Sequence, residues 1–114
     1  CALAATVYLS LAGPAGLWEA AVLSAQKAAY LREKLIASGK FDPVFNGKFF
    51  REFAVRAKAG AEKVNRAAAN AGFVGGYLLG RAHPALGDCL LLAVTEKRTK
   101  EEIDAFCERA VAAV

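Results

Sequence analysis

Apolar positions along the chain change period several times, and each change marks an element. Residues 2–12 (Ala2-Leu3-Ala4-Ala5-Thr6-Val7-Tyr8-Leu9-Ser10-Leu11-Ala12) are almost wholly apolar. They read as a helix ending near Gly13, with Pro14 opening the next one, since the first helical position does not need its N–H. From Ala15 to Ser38, Leu17, Ala21, Ser24, Ala28, Leu31 and Leu35 step by four and three, with Trp18, Val22, Ala25, Ala29 and Ile36 in an adjoining row. That spacing predicts a long helix with one wide apolar face. Ser38-Gly39 stops it, because glycine tolerates the left-handed conformation that follows a helix.

The period then shortens. Phe41-Asp42-Pro43-Val44-Phe45 is at most a short edge strand, since Pro43 cannot donate to a ladder. Asn46-Gly47 signals a turn. Phe49 to Ala57 alternates, with Phe53 and Val55 on one face and Glu52, Ala54 and Arg56 on the other, and predicts a second strand. After Gly60 a helix is expected over Ala61 to Ala71, with Ala61, Val64, Ala68 and Ala71 as its stripe. Residues 73–80 are punctuated by glycine and read as loosely extended, and Arg81 to Gly87 as a loop.

The stretch Asp88 to Glu108 organises the rest. Cys89-Leu90-Leu91-Leu92-Ala93-Val94 is too short for an ordinary helix and apolar at every position, so it reads as a strand buried on both faces. A charged turn follows, and Thr99 with Glu102 three residues on forms a capping-box signature. Ile103, Phe106, Cys107, Ala110 and Val111 give the last helix its apolar face. The order predicts an α/β (α+β) fold: a two-layer sandwich with a small, mainly antiparallel sheet and helices on one face. A strand apolar on both sides then needs a cover on its second face: the leading helix, a further domain or another subunit.

Composition narrows the picture little. The 114 residues make one domain, 56% hydrophobic and 23% charged. The net charge of +4 is carried by scattered cations with no run interleaved with stacking aromatics, which argues against a nucleic-acid face. No apolar stretch approaches the roughly 20 residues a membrane span requires. Three cysteines without a C-x-x-C spacing, two of them at apolar positions, point to a reducing compartment with no disulfide framework. A start at Cys1 inside an apolar segment, with no basic n-region or cleavage site, reads as a fragment beginning within a helix of a longer protein.

Candidate chemistry is sparse. His83, the sole histidine, precedes Pro84 in a loop with no Cys, Asp or Glu at metal spacing. Gly72-x-x-Gly75-Gly76 lacks the lysine of a P-loop and the spacing of a dinucleotide fingerprint, so turn chemistry explains it better. Thr95-Glu96-Lys97-Arg98-Thr99 lies at the carboxyl end of a strand and the start of a helix, where anions and substrates bind, although a capped, solvated turn would look the same. No Ser/His/Asp or Cys/His set, paired carboxylates or metal cluster emerges from the residues.

Three parts of the chain are distinctive: Gly75-Gly76-Tyr77-Leu78-Leu79-Gly80-Arg81, Leu90 to Asp104 with its TEKRT-x-EEID string, and upstream Cys1 to Ser10, Gly13-Pro14-x-Gly16-Leu17 and Phe49-Phe50-x-Glu52-Phe53. Together they resemble the C-terminal region of glycine dehydrogenase (decarboxylating) subunit 1, half of the two-subunit P-protein of the glycine cleavage system. The resemblance runs over essentially the whole chain. It implies the C-terminal small domain of fold type I (aspartate aminotransferase-like) pyridoxal-phosphate enzymes, with residues 1–13 as the tail of an interdomain helix and 14–114 as the small domain. It further implies an oxidoreductase that decarboxylates glycine and passes the aminomethyl group to lipoylated H-protein, acting in the cytoplasm with subunit 2 in a heterotetramer. The cofactor lysine of that family lies in the companion subunit. No lysine here matches its motif, so the resemblance assigns this chain no catalytic residue and no cofactor of its own. Glu96, Lys97 and Arg98 are the candidates for a substrate-proximal or interface role. The competing expectation is a freestanding α/β ligand-binding or regulatory module without chemistry.

Overall fold

The computed structural model describes residues 1–114. Helix α1 (Ala2–Ala37) is bent at Gly13, whose φ of 65° and ψ of −179° leave the helical region immediately before Pro14. Nothing approaches a Cβ built on Gly13, so its requirement for glycine is one of backbone conformation alone. Beyond the bend, Ser24, Ala28, Leu31 and Leu35 are buried, as their spacing predicts. Trp18 stays exposed, and so do Leu3, Val7, Tyr8 and Leu11 before the bend.

Four antiparallel strands follow: β1 (Phe41–Pro43), β2 (Glu52–Ala57), β3 (Tyr77–Leu78) and β4 (Cys89–Ala93), in spatial order β1-β2-β4-β3. Helix α2 (Ala61–Asn70) follows β2, and α3 (Lys100–Ala112) closes the chain. The register sets Phe53 opposite Leu92 and Val55 opposite Leu90 on one sheet face, where they join Leu31 and Leu35, Val64 and Ala68, and Ile103 and Phe106 in a single core. All three helices therefore lie on the same side of the sheet, which makes the two-layer sandwich.

The second strand begins three residues later than its alternation predicts. Its partner β4 has no strand residue beyond Ala93, opposite Glu52, and β1 ends at Pro43, opposite Val55. Phe49 instead turns onto Phe53, ring centroids 5.6 Å apart. The link between β1 and β2 thus runs from 44 to 51, longer than a two-residue turn at Asn46-Gly47 would make it. Tyr77 and Leu78, expected to be merely extended, pair with Leu91 and Leu90 as a short edge strand. The loop after them contains 3₁₀ turns at Leu79–Arg81 and Pro84–Leu86.

The second sheet face carries Ala54, Arg56, Cys89, Leu91 and Ala93. Cys89 and Ala54 are buried, Leu91 is half-buried and Ala93 is exposed. The cover comes from the chain's own connections: Phe45 and Phe49 from one, and Leu79, His83 and Leu86 from the other, meet Ala54 and Leu91 around a depression of about 440 Å³. The leading part of α1, one of the three expected covers, does not serve here.

Candidate functional site

The turn from β4 into α3 is built from both ends. Val94 N–H donates to the Arg51 carbonyl (2.9 Å), carrying the β2–β4 ladder one residue past Ala93, and Arg98 N–H closes onto the Thr95 carbonyl (3.2 Å). At the start of α3, Glu102 N–H donates to Thr99 Oγ1 (3.1 Å) while Thr99 N–H donates to Glu102 Oε2 (2.9 Å), so the expected capping box is formed. Glu101 and Glu102 already set negative charge against the positive end of the helix dipole.

Of the three candidate residues, Glu96 is the anchored one. Its N–H donates to Ser24 Oγ (3.0 Å), and Lys27 Nζ donates to its carbonyl. Ser24, the one polar residue in the core, donates in turn to the Ala20 carbonyl (2.7 Å). Lys97 is exposed. Arg98 is exposed as well, its Nη1 3.7 Å from Glu102 Oε1 across one helical turn, a separation that gives only a loose pair. Arg98 and Glu102 also line an otherwise apolar cavity of about 110 Å³ bounded by Leu31, Phe73, Leu92, Val94 and Phe106. The structure therefore brings Glu96 onto α1 and leaves two cations projecting beside it.

A second polar cluster fastens α1 to α3. Asp104 accepts hydrogen bonds from Lys34 Nζ, from Tyr30 Oη (2.6 Å) and from Lys100 Nζ (2.9 Å). The Lys34 bond, followed by those of Tyr30 and Lys100, holds the Asp104 carboxyl far below the usual carboxylate range. The same bonds raise both ammonium groups. Both Nζ atoms also lie over the Tyr30 ring, 5.5 and 5.4 Å from its centroid. Cys107 faces the core, and burial pushes its thiol up to about 11. Cys89 is also buried and reduced.

Sequence reasoning missed Ser24 as an anchor and the Asp104 cluster. Ser24 left a signal: a hydroxyl in the middle of an apolar row must find a partner once buried. The Asp104 cluster left only the four-residue spacing of Lys100 and Asp104 on one helix, because Tyr30 and Lys34 reach Asp104 through the packing of two helices. The glycines at 75 and 76 also have a reason other than the turn expected of them. A Cβ on Gly75 would lie 2.4 Å from Asn65 Oδ1, and one on Gly76 2.8 Å from the Leu91 carbonyl oxygen. They admit close packing against α2 and β4. His83 is an exposed loop residue, and no group of three His, Cys, Asp or Glu could hold a metal ion.

Fold and turn together define a small two-layer α/β domain that presents a capped, charged turn at the carboxyl end of its central strand. The chain is similar to glycine decarboxylase (P-protein) of the glycine cleavage system, whose crystal structure is in inhibitor-bound form, with a TM-score of 0.82 and 31% identity over 95% of this chain and 24% of that one. Among curated proteins, a "probable glycine dehydrogenase (decarboxylating) subunit 1" of Moorella thermoacetica is 50% identical over 106 residues, 93% of this chain and 24% of the relative. Proteins with the same description from Anoxybacillus flavithermus and Carboxydothermus hydrogenoformans are 47% and 46% identical over 90% and 94% of this chain, which covers 23% and 24% of them. No family profile matches. The chain is homologous to a C-terminal portion of glycine dehydrogenase (decarboxylating) subunit 1. It spans about a quarter of the length of the curated relatives it matches.

Proposed function

We propose that this chain is the C-terminal small domain of a glycine-decarboxylating subunit, residues 1–13 being the end of the helix that leads into it. The whole protein would decarboxylate glycine and hand the aminomethyl group to lipoylated H-protein, working in the cytoplasm with a companion subunit 2. The observation that carries this reading is the 50% identity to subunit 1 across 93% of the chain. No helix is long and apolar enough to cross a membrane.

Pyridoxal phosphate would supply the electron sink for decarboxylation in such an enzyme. The residues of this chain do not fit that group. The Gly75-Gly76 run is closed by Asn65, Ala68 and Leu91, and the first turn of α3 is occupied by Thr99 and two glutamates.

What the chain offers is a rigid turn with two projecting cations. Glu96 is locked to α1 through Ser24 and Lys27, so Lys97 and Arg98 are presented from a fixed backbone, toward the substrate carboxylate or the companion subunit. The Gly13-Pro14 bend is a position able to absorb the dihedral change of a closing domain. The test uses the full-length subunit reconstituted with its companion and lipoylated H-protein. Carbon dioxide release from carboxyl-labelled glycine is measured for the intact protein and for a variant with Glu96, Lys97 and Arg98 all replaced by Ala. Release by the intact pair supports the glycine reading, and its absence refutes that reading. A variant with a raised KM or failed assembly supports the turn's role. Unchanged kinetics and assembly dismiss it.

A further inference from the structure

The link between β1 and β2 carries three phenylalanines within six residues, and all stay in contact with solvent: Phe45 is 61% exposed, Phe49 37% and Phe50 45%. Each of the last two rings has a guanidinium over it. The Arg32 carbon lies 5.4 Å from the Phe49 centroid, and that of Arg51 5.0 Å from the Phe50 centroid. Lys48 adds a third positive charge, against a single acid, Glu52, and none of these four groups forms an ion pair with another residue. The loop also forms one wall of the 440 Å³ depression on the second sheet face, whose floor is Ala54 and Leu91.

We infer that this loop and depression are a docking surface for an acidic protein segment that inserts an apolar side chain. Arg32 and Lys48 line the depression against Glu52 alone, and Arg51 borders a separate hollow with Phe50 and Glu52. This excess of cations selects an acidic partner, and the rings with the concave apolar floor select an anchor residue. Concavity argues against a membrane surface, which would meet a convex apolar tip. The inference does not rest on the proposed enzymatic activity.

The experiment places p-benzoylphenylalanine at position 50 of the full-length subunit, in its assembled state, and maps photo-adducts in cell extract by mass spectrometry. Expected are adducts on an acidic segment of another polypeptide, reduced at least tenfold by 0.5 M salt and by Lys48→Glu with Arg51→Glu. Those substitutions leave the fold intact, since Arg51 serves the sheet through its backbone carbonyl, and circular dichroism checks this. Adducts confined to the subunit itself, adducts on neutral or basic segments, or no adducts would each overturn the inference. So would co-flotation with phosphatidylglycerol vesicles in place of protein adducts.

Discussion

Gly75→Ala tests whether the glycines before β3 serve packing or turn formation. Gly75 has no positive φ, so alanine meets no conformational barrier there. The obstacle is steric: the new Cβ would fall 2.4 Å from Asn65 Oδ1, 2.9 Å from Ala68 Cβ and 3.0 Å from Asn65 Cα. Two of these atoms belong to the helix itself and cannot swing away. Overpacking of this kind costs about 1–3 kcal/mol, offset by about 0.4–1 kcal/mol because alanine restricts the unfolded chain. The expected net loss is about 1–2 kcal/mol, which lowers Tm by roughly 5–10 °C in a domain of this size.

Asn65 provides the internal control. Its Nδ2 donates to the Gly76 carbonyl (3.0 Å), while its Oδ1 is buried without a partner. Asn65→Ala therefore loses one hydrogen bond and one orphaned acceptor together, and its own effect is about 1 kcal/mol or less. In the double variant the closest clash is gone but Ala68 Cβ and the Cα at position 65 remain. Rescue is then partial, with a coupling energy of about 1 kcal/mol. Urea denaturation followed by circular dichroism gives all four corners of the cycle. A neutral Gly75→Ala, or strictly additive effects, would refute the close-packing argument.

Three other perturbations probe the links between layers. Ser24→Ala leaves the Glu96 N–H without its partner beneath α1, and should cost about 1–3 kcal/mol in urea denaturation; Ser24→Thr, which keeps the hydroxyl, should recover part of it. Cys107 has its thiol raised from 9.0 to about 11 by burial, so its contribution is complete below pH 9 and declines from there to about 11 as the unfolded thiol ionises. Cys107→Ala should flatten the stability profile over that window, and an equal slope in both proteins would contradict the assignment. Asp104 is depressed, so its contribution is complete above the unfolded carboxyl value of about 3.9 and falls away as pH drops below it. Asp104→Asn should therefore be less stable than the parent at neutral pH, with the gap closing on acidification; a constant gap would exclude the carboxylate as its source.

Local rules placed most of this fold. The Gly13-Pro14 break, the α1 row from Ser24 to Leu35, the capping box at Thr99 and the inward faces of β2 and β4 all follow from period and punctuation, because each depends on residues a few positions apart. Resemblance in the TEKRT string reached the family, which the physics of the residues alone could not. The misses lie where the reason is tertiary. β3 has two residues and exists only because β4 offers an edge to it, and the strand at 49–51 fails only because no partner reaches that far.

The doubly apolar β4 shows how such a reading can succeed in one part and fail in the next. Alternating burial predicts that one face of a sheet backed by helices should turn polar, and Cys89 and Leu91 do not. The demand for a cover was correct, but its source lay in two connections that no period describes. A loop can provide that cover only where side chains reach from irregular backbone, which is why Phe45, Phe49, Leu79 and Leu86 are apolar in segments otherwise marked by Gly, Asn and Pro. The cover is partial, since Ala93 stays exposed beside Thr95 at the entrance to the charged turn. The apolar end of β4 and the cations at 97 and 98 are thus neighbours on one rim. A partner reaching this rim would meet both, which makes the turn and the bare end of the sheet a single surface to mutate together.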